Sequence, residues 1–388
     1  MNDQPAPDPG RGGGTSLKPM IGRALIGSAV AAWVGAMVWV LWPANGPGVG
    51  GGSRRADVSD VAGYVGNRVC AECHPGEYAK HTGSGHAQTL SDAGQPQVVS
   101  RVRGMSVQDP EDPRTSWKFA MQDQRLELER SQGEQVDRRV VEYALGSGHH
   151  AITFVSLTGQ GSRSPEGLEH RISYFAKDRS LGLTPGQRRE TKSPGTTPLG
   201  RHFNAQETQK CFECHCTLTS DRGNDVLDVR TMVPNITCER CHGPAREHAA
   251  AARRGAADLA MPFGAGRWTA AEQMTLCGKC HRLPEFVPAD QRVPENTFLR
   301  RFQSVGLMLS KCYTGSRGAL SCVTCHDPHG RTATNHDVYN SRCVNCHQAP
   351  PQTTCRVEDT DCIQCHMPKR EAGAGLFFAD HWIRSYRE

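Results

Sequence analysis

Seven copies of one five-residue pattern, Cys-x-x-Cys-His, constrain this 388-residue chain more than any other feature. They are Cys70/Cys73/His74, Cys211/Cys214/His215, Cys238/Cys241/His242, Cys277/Cys280/His281, Cys322/Cys325/His326, Cys343/Cys346/His347 and Cys362/Cys365/His366. The pattern is the attachment signature of c-type haem. Two thiols three residues apart reach two vinyl groups on one porphyrin edge, and the next residue turns its imidazole onto the iron. Zinc ribbons share the Cys-x-x-Cys pair but need no histidine directly after it. A redox Cys-x-x-Cys normally occurs once, near a βαβ pattern, and a disulfide framework fixes no pair spacing. The repeat therefore predicts seven covalent haem c groups, thioether-bound at the motif cysteines, with the seven motif histidines as proximal iron ligands. Cys216, Cys312 and Cys355 remain of the 17 cysteines. Three is an odd number, so at most one disulfide forms among them, and Cys312–Cys355 is the expected pair.

Haem attachment happens outside the cytoplasm, where disulfides are permitted. Hydrophobic residues make up 37% and aromatics 6% of the chain, a thin supply for a large core. Haem faces are apolar and can take that place. The net charge of +5 forms no basic stripe, so no nucleic-acid partner is expected.

Residues 1–19 are rich in Pro, Gly and Asp and read as a disordered cytoplasmic tail. Ala24 to Trp42 carries no charge and would span about 28 Å as a helix, close to the hydrocarbon thickness of a bilayer. Arg11, Lys18 and Arg23 precede it, which orients the N-terminus inward, and Trp39 and Trp42 close its far end. Residues 20–42 are therefore expected to be a transmembrane signal anchor, with a cleaved signal peptide as the competing reading. Gly-rich residues 43–63 read as a flexible linker. Residues 64–388 form the haem domain, on the periplasmic side of a single-pass inner-membrane protein.

Between the first and second motifs lie 136 residues, against 22, 34, 40, 16 and 14 for the later gaps. The long gap holds short aliphatic or aromatic runs at 117–121, 125–128, 138–145, 151–157 and 170–175, parted by turn residues, and predicts an antiparallel β insert at about 115–176. Beyond Gly200, the stretches 239–254 and 269–282 read as helices. The expected fold is a mostly α multihaem scaffold with little regular structure, a small β insert and the N-terminal transmembrane helix.

Five stretches resemble the multihaem cytochromes related to hydroxylamine oxidoreductase and its tetrahaem electron acceptor. They are Cys70-Ala-Glu-Cys-His with Gly85-His86-Ala87; Ile172-Ser-Tyr-Phe with Leu183-Thr-Pro-Gly; Cys238-Glu-Arg-Cys-His-Gly-Pro with His248; Cys322-Val-Thr-Cys-His-Asp-Pro-His; and Cys362-Ile-Gln-Cys-His-Met-Pro with Asp380-His381. The resemblance implies closely stacked haems with bis-histidine ligation for most of them. It leaves the activity open, because the group includes electron carriers and enzymes acting on nitrogen oxides. Two departures stand out. No Cys-x-x-Cys-Lys occurs, and no tyrosine can be matched to the haem cross-link of hydroxylamine oxidoreductase.

Ten histidines lie outside the motifs: His81, His86, His149, His150, His170, His202, His248, His329, His336 and His381. His86 and His381 are expected as sixth ligands from the resemblance. His248 follows His242 by six residues and His329 follows His326 by three, so each is expected to serve a neighbouring haem. His150 is a further candidate, and His81 and His336 compete. Electron transfer between redox partner proteins is the expected function. The alternative is oxidation or reduction of hydroxylamine, nitrite or a related compound at a five-coordinate haem. A quinol-oxidising role fits less well, because the linker separates the first haem from the membrane.

Overall fold

Each haem motif needs one turn of helix, and little more is present. The computed structural model describes residue 61 and residues 63–159, 164–188, 195–259, 261, 268–347 and 361–386, all within the unit Ser53–Glu388. The motifs sit on or at the ends of the helices Asn67–Cys73, Ala205–Glu213, Cys238–His242, Ala270–His281, Cys322–Cys325, Asp337–Val344 and Cys362–His366. Cysteines three apart on a helix share a face. The expected helix over 239–254 is broken: Cys238–His242 ends at Gly243, whose φ of 80° is left-handed, and Pro244 follows before Arg246–Arg253 resumes. The expected helix over 269–282 forms as Ala270–His281, opened by a reciprocal capping box between Thr269 and Glu272.

The β structure is larger than a small insert. It runs from Leu90 to Phe203 in two antiparallel sheets. One is a four-stranded meander of Ser106–Asp109, Asp112–Gln122, Arg125–Gln132 and Gln135–Val140. Asp123 and Gln124, both at positive φ, make the two-residue turn that pairs Gln122 with Arg125. The second sheet has eight strands, ordered Leu90–Asp92, Tyr143–Leu145, Ala151–Thr158, Glu166–His170, Gly200–Phe203 and Thr196–Thr197 along its main path. Ile172–Phe175 and Ser180–Leu183 branch from Ala151–Thr158. Alternate residues point inward, so Trp117, Phe119, Leu126 and Leu128 of the meander share one core with Ile152, Phe154, Ile172 and Tyr174 of the larger sheet. Phe119 and Phe154 meet with ring centroids 4.6 Å apart.

The expectation of a mostly α scaffold is therefore corrected. The described residues hold sixteen strands and no α-helix longer than the twelve residues of Ala270–His281. Hydrophobicity concealed part of the β region, because its later strands bury polar groups with partners instead of apolar ones. His170 is fully buried, with Nε2 2.6 Å from Ser156 Oγ, and Ser173 Oγ lies 2.8 Å from Thr184 Oγ1. The expected transmembrane helix is not part of the described architecture. Residues 20–42 lie outside the described residues, and no helix among the described residues is long and apolar enough to cross a membrane.

Candidate haem sites

Four proximal histidines each face one of the histidines expected as sixth ligands. His74 faces His248 with ring centroids 6.3 Å apart, and His281 faces His86 at 6.3 Å. His242 faces His329 at 6.0 Å, and His326 faces His381 at 6.1 Å. A metal–imidazole bond is about 2 Å, so two rings on opposite sides of one iron have nitrogens about 4 Å apart and centroids about 6 Å apart. The four pairs have that separation. His248 is placed across from the first motif rather than its own third, and His329 across from the third rather than the fifth.

Hydrogen bonding fixes the tautomer these rings need. Nδ1–H donates to a backbone carbonyl in His248 (Leu259, 2.7 Å), His381 (Ala379, 2.9 Å), His215 (Thr89, 2.8 Å) and His366 (Arg384, 3.2 Å). Such a bond orients the ring and leaves the Nε2 lone pair for iron. Burial holds His86, His215, His281 and His326 below the ordinary histidine range and pushes His381 down to about 4. All five are neutral at pH 7, as a metal ligand must be. The rings of His86 and His281 are nevertheless accessible. A ring surrounded by protein and still accessible faces an interior slot. Beside His326 the slot is a cavity of about 300 Å³ walled by Val323, Cys325, Pro328, Tyr339 and Arg342. Its walls mix apolar side chains with Asp327, Arg331 and Arg342, and an imidazole beside a motif thiol there suits a covalently held porphyrin, whose faces are apolar and whose carboxylates are charged.

The motifs also touch one another. Thiols lie close enough to perturb one another between Cys70 and Cys238, Cys214 and Cys280, Cys277 and Cys322, and Cys343 and Cys362. Cys241 lies within electrostatic range of Cys277, and Cys325 of Cys346. All fourteen motif cysteines are free of disulfides, as thioether formation requires.

The fourteen thiols are not equivalent, although the repeated pattern treats them alike. Cys73, Cys346 and Cys365 are exposed, and the other eleven are half-buried. Cys365 is one of these exposed thiols. It lies on the single turn Cys362–His366, none of whose residues is buried among the described residues. The Cys362 thiol of the same motif does pack, against Cys343. A haem at the seventh motif would therefore have one thioether edge at the surface. Cys312 is also a free thiol, whereas Cys355 lies outside the described residues, so the expected Cys312–Cys355 disulfide falls there too.

The remaining histidines go elsewhere. His150 packs on Phe378 at 4.8 Å, His149 meets Arg331, and His336 bonds Asp361 at 2.8 Å. His81 is buried with Nδ1 unpartnered, and His170 belongs to the β core. Among the described residues no histidine ring faces His215, His347 or His366 at iron-bridging separation. Sequence reasoning had no signal for the carbonyls of Thr89, Leu259 and Arg384, because a backbone acceptor has no residue signature.

Residues 183–243, which include the second and third motifs, match the family described as cytochrome c554 and c-prime. A solved structure, the outer cell wall cytochrome OcwA, matches with 16% sequence identity and a TM-score of 0.32, over 56% of this chain and 37% of that one. The match therefore spans little more than a third of that protein's length. No curated protein sequence matches the chain.

Proposed function

We propose that this electron-transfer protein, a multihaem c-type cytochrome with covalently bound haem c, carries seven haems and relays electrons between partner proteins outside the cytoplasm. The observation that carries the reading is the set of four histidine pairs at 6.0 to 6.3 Å. Bound haem would supply an iron that cycles between two oxidation states, and His74 with His248, His86 with His281, His242 with His329 and His326 with His381 would hold four such irons with no position left for substrate. The protein's part is to hold both ligands neutral and rigid, so that nothing must rearrange when the charge changes. Proximity between motif thiols supports a path from the first motif through the third, fourth, fifth and sixth to the seventh, with the second beside the fourth. The uncharged stretch 24–42 supports location at the inner membrane, with the haem domain on the periplasmic side.

A second reading has its own observation. His215, His347 and His366 have no facing histidine among the described residues, and an open iron could react with hydroxylamine, nitrite or a related molecule. Resemblance to the hydroxylamine oxidoreductase group supports that chemistry. Electron paramagnetic resonance of the oxidised protein separates the two. The carrier reading expects low-spin signals only, unchanged by added nitrite or hydroxylamine. A high-spin signal that converts on adding either compound would favour the enzyme. Mass spectrometry tests the haem number independently: recovery of five or fewer haems from matured protein defeats the count of seven.

A further inference from the structure

Buried guanidinium groups need acceptors, and two arginines at the seam between the second and fourth motifs lack them. Arg201 and Arg301 each bury an Nε atom that has no hydrogen-bond partner. Arg201 sits on the strand Gly200–Phe203, directly across from Glu169 on Glu166–His170. Arg301 ends the 3₁₀ turn Thr297–Arg301, and both arginines act electrostatically on Glu169. Arg282, which follows the iron ligand His281, acts on Arg301 and stacks on Phe302 at 4.2 Å. Arg301 in turn lies over Phe298 at 4.3 Å.

Arg201 and Arg301 therefore meet at Glu169, the exposed Arg282 lies beyond Arg301, and Arg201 Nη2 reaches the Glu207 carboxylate at the rim at 4.0 Å. Glu169 is engaged by Gln187 Nε2 at 2.8 Å, and burial pushes its carboxyl up, which weakens it as a counter-charge. Burial and the neighbouring Arg282 push Arg301 down, the mark of a cation short of anions. A buried polar atom without a partner is costly, and Glu169 and Glu207 leave the Nε atoms of Arg201 and Arg301 unanswered, so the cluster has room for a further anion. The Cys211 thiol lies within electrostatic range of Glu169 and Arg201. Haem attached at the second or fourth motif would lie beside the cluster, and its two carboxylates leave the porphyrin edge opposite the thioethers. Guanidinium forks match carboxylates in shape and charge.

We propose that Arg201, Arg282 and Arg301 form the seat for the propionate carboxylates of a haem at this seam, and that they set its reduction potential. The inference rests on haem attachment at these motifs, which mass spectrometry reads separately. In Arg201→Gln and Arg301→Gln, all haems stay attached. One midpoint potential, in a titration that resolves the haems, shifts downward, because removing a nearby positive charge favours the oxidised iron. That midpoint also becomes dependent on pH between about 5 and 8, since a carboxylate without its partner takes up a proton on reduction. Arg301→Lys restores part of the shift. If the moving midpoint is that of the haem between His86 and His281, the fourth motif's haem is seated here; if it is that of the His215 haem, the second motif's is. Unchanged midpoints and pH dependence in both Gln variants overturn the proposal. Should the variants fail to mature, infrared spectra of the unaltered protein with isotopically labelled haem carboxylates decide. Bands that stay ionised to about pH 4 support the seat, and bands that all titrate in the ordinary carboxylic-acid range of about 4 to 5 overturn it.

Discussion

His248 lies six residues after one iron ligand and faces another, His74, 6.3 Å away; His329 faces His242 at 6.0 Å. Neither takes part in thioether bonds. His248→Ala should therefore leave every haem attached and turn the first motif's haem high-spin, and His329→Ala should do the same to the third. Unaltered low-spin spectra and potentials in both variants would show that these rings are not ligands. His170 makes a different prediction. Burial pushes it down to about 3, whereas an unfolded histidine takes up its proton near pH 6.5. Its folded value is depressed, so its contribution to stability is whole above about pH 6.5 and is lost as the pH falls toward about 3. Hydrogen exchange over residues 112–175 should show protection weakening as the pH drops below that point. His170→Gln, which can still bond Ser156 but cannot titrate, should flatten the dependence; an unchanged slope would assign it to another group.

Among the elements, the third motif's helix is tied to the first by a residue inside its own Cys-x-x-Cys. Glu239 is buried, and its carboxylate accepts from the amides of Val65 and Gly66, both at 2.9 Å, and from Ala245 at 3.1 Å. It therefore fixes the approach to Asn67–Cys73 against Cys238–His242, and with it the angle between two haem sites. Glu239→Ala strands three amides, each costing about 1–3 kcal/mol if left unpaired. Calorimetry should show a loss of stability of roughly 3–5 kcal/mol, the lower part of that sum, with the His74–His248 and His242–His329 haems the first to lose low-spin character on heating. Melting indistinguishable from the parent protein would mean that water or a shifted loop takes over those bonds.

At the scale of the whole molecule, apolar packing and haem binding divide the chain. The largest core, with Trp117, Phe119, Leu128 and Phe154, draws only on residues 93–199. The cluster containing Val287, Leu299 and Val305 near the C-terminal motifs is small. Ligand pairs such as His86–His281 join distant parts of the chain, so bound iron there replaces the core that the sequence lacks. In haem-free protein, limited proteolysis should leave a resistant fragment covering roughly residues 90–203 while the motif-rich remainder is digested. Complete digestion would show that the sheets also depend on haem.

The haem chemistry was legible in the sequence because it is local. Two thiols and an imidazole within five residues define attachment and the proximal ligand whatever the rest of the chain does. How far each thiol is enclosed was not legible, because the exposure of Cys365 depends on what packs over its turn of helix. That His248 and His329 could not serve their own irons was also readable, since a helix cannot fold back on a haem it already holds. The partner each would meet was not readable, because it is set by packing between segments 174 and 87 residues away, as with His74 and His248 or His242 and His329. The extent of the sheets was hidden for a related reason. Strands such as Glu166–His170 and Gly200–Phe203 carry Glu169, His170 and Arg201 where an apolar pattern would have announced them. Only the tertiary structure supplies the hydrogen bonds and neighbouring charges that let such groups be buried, and it brings Arg201 and Arg301 together at Glu169 with an Nε atom of each left without a partner.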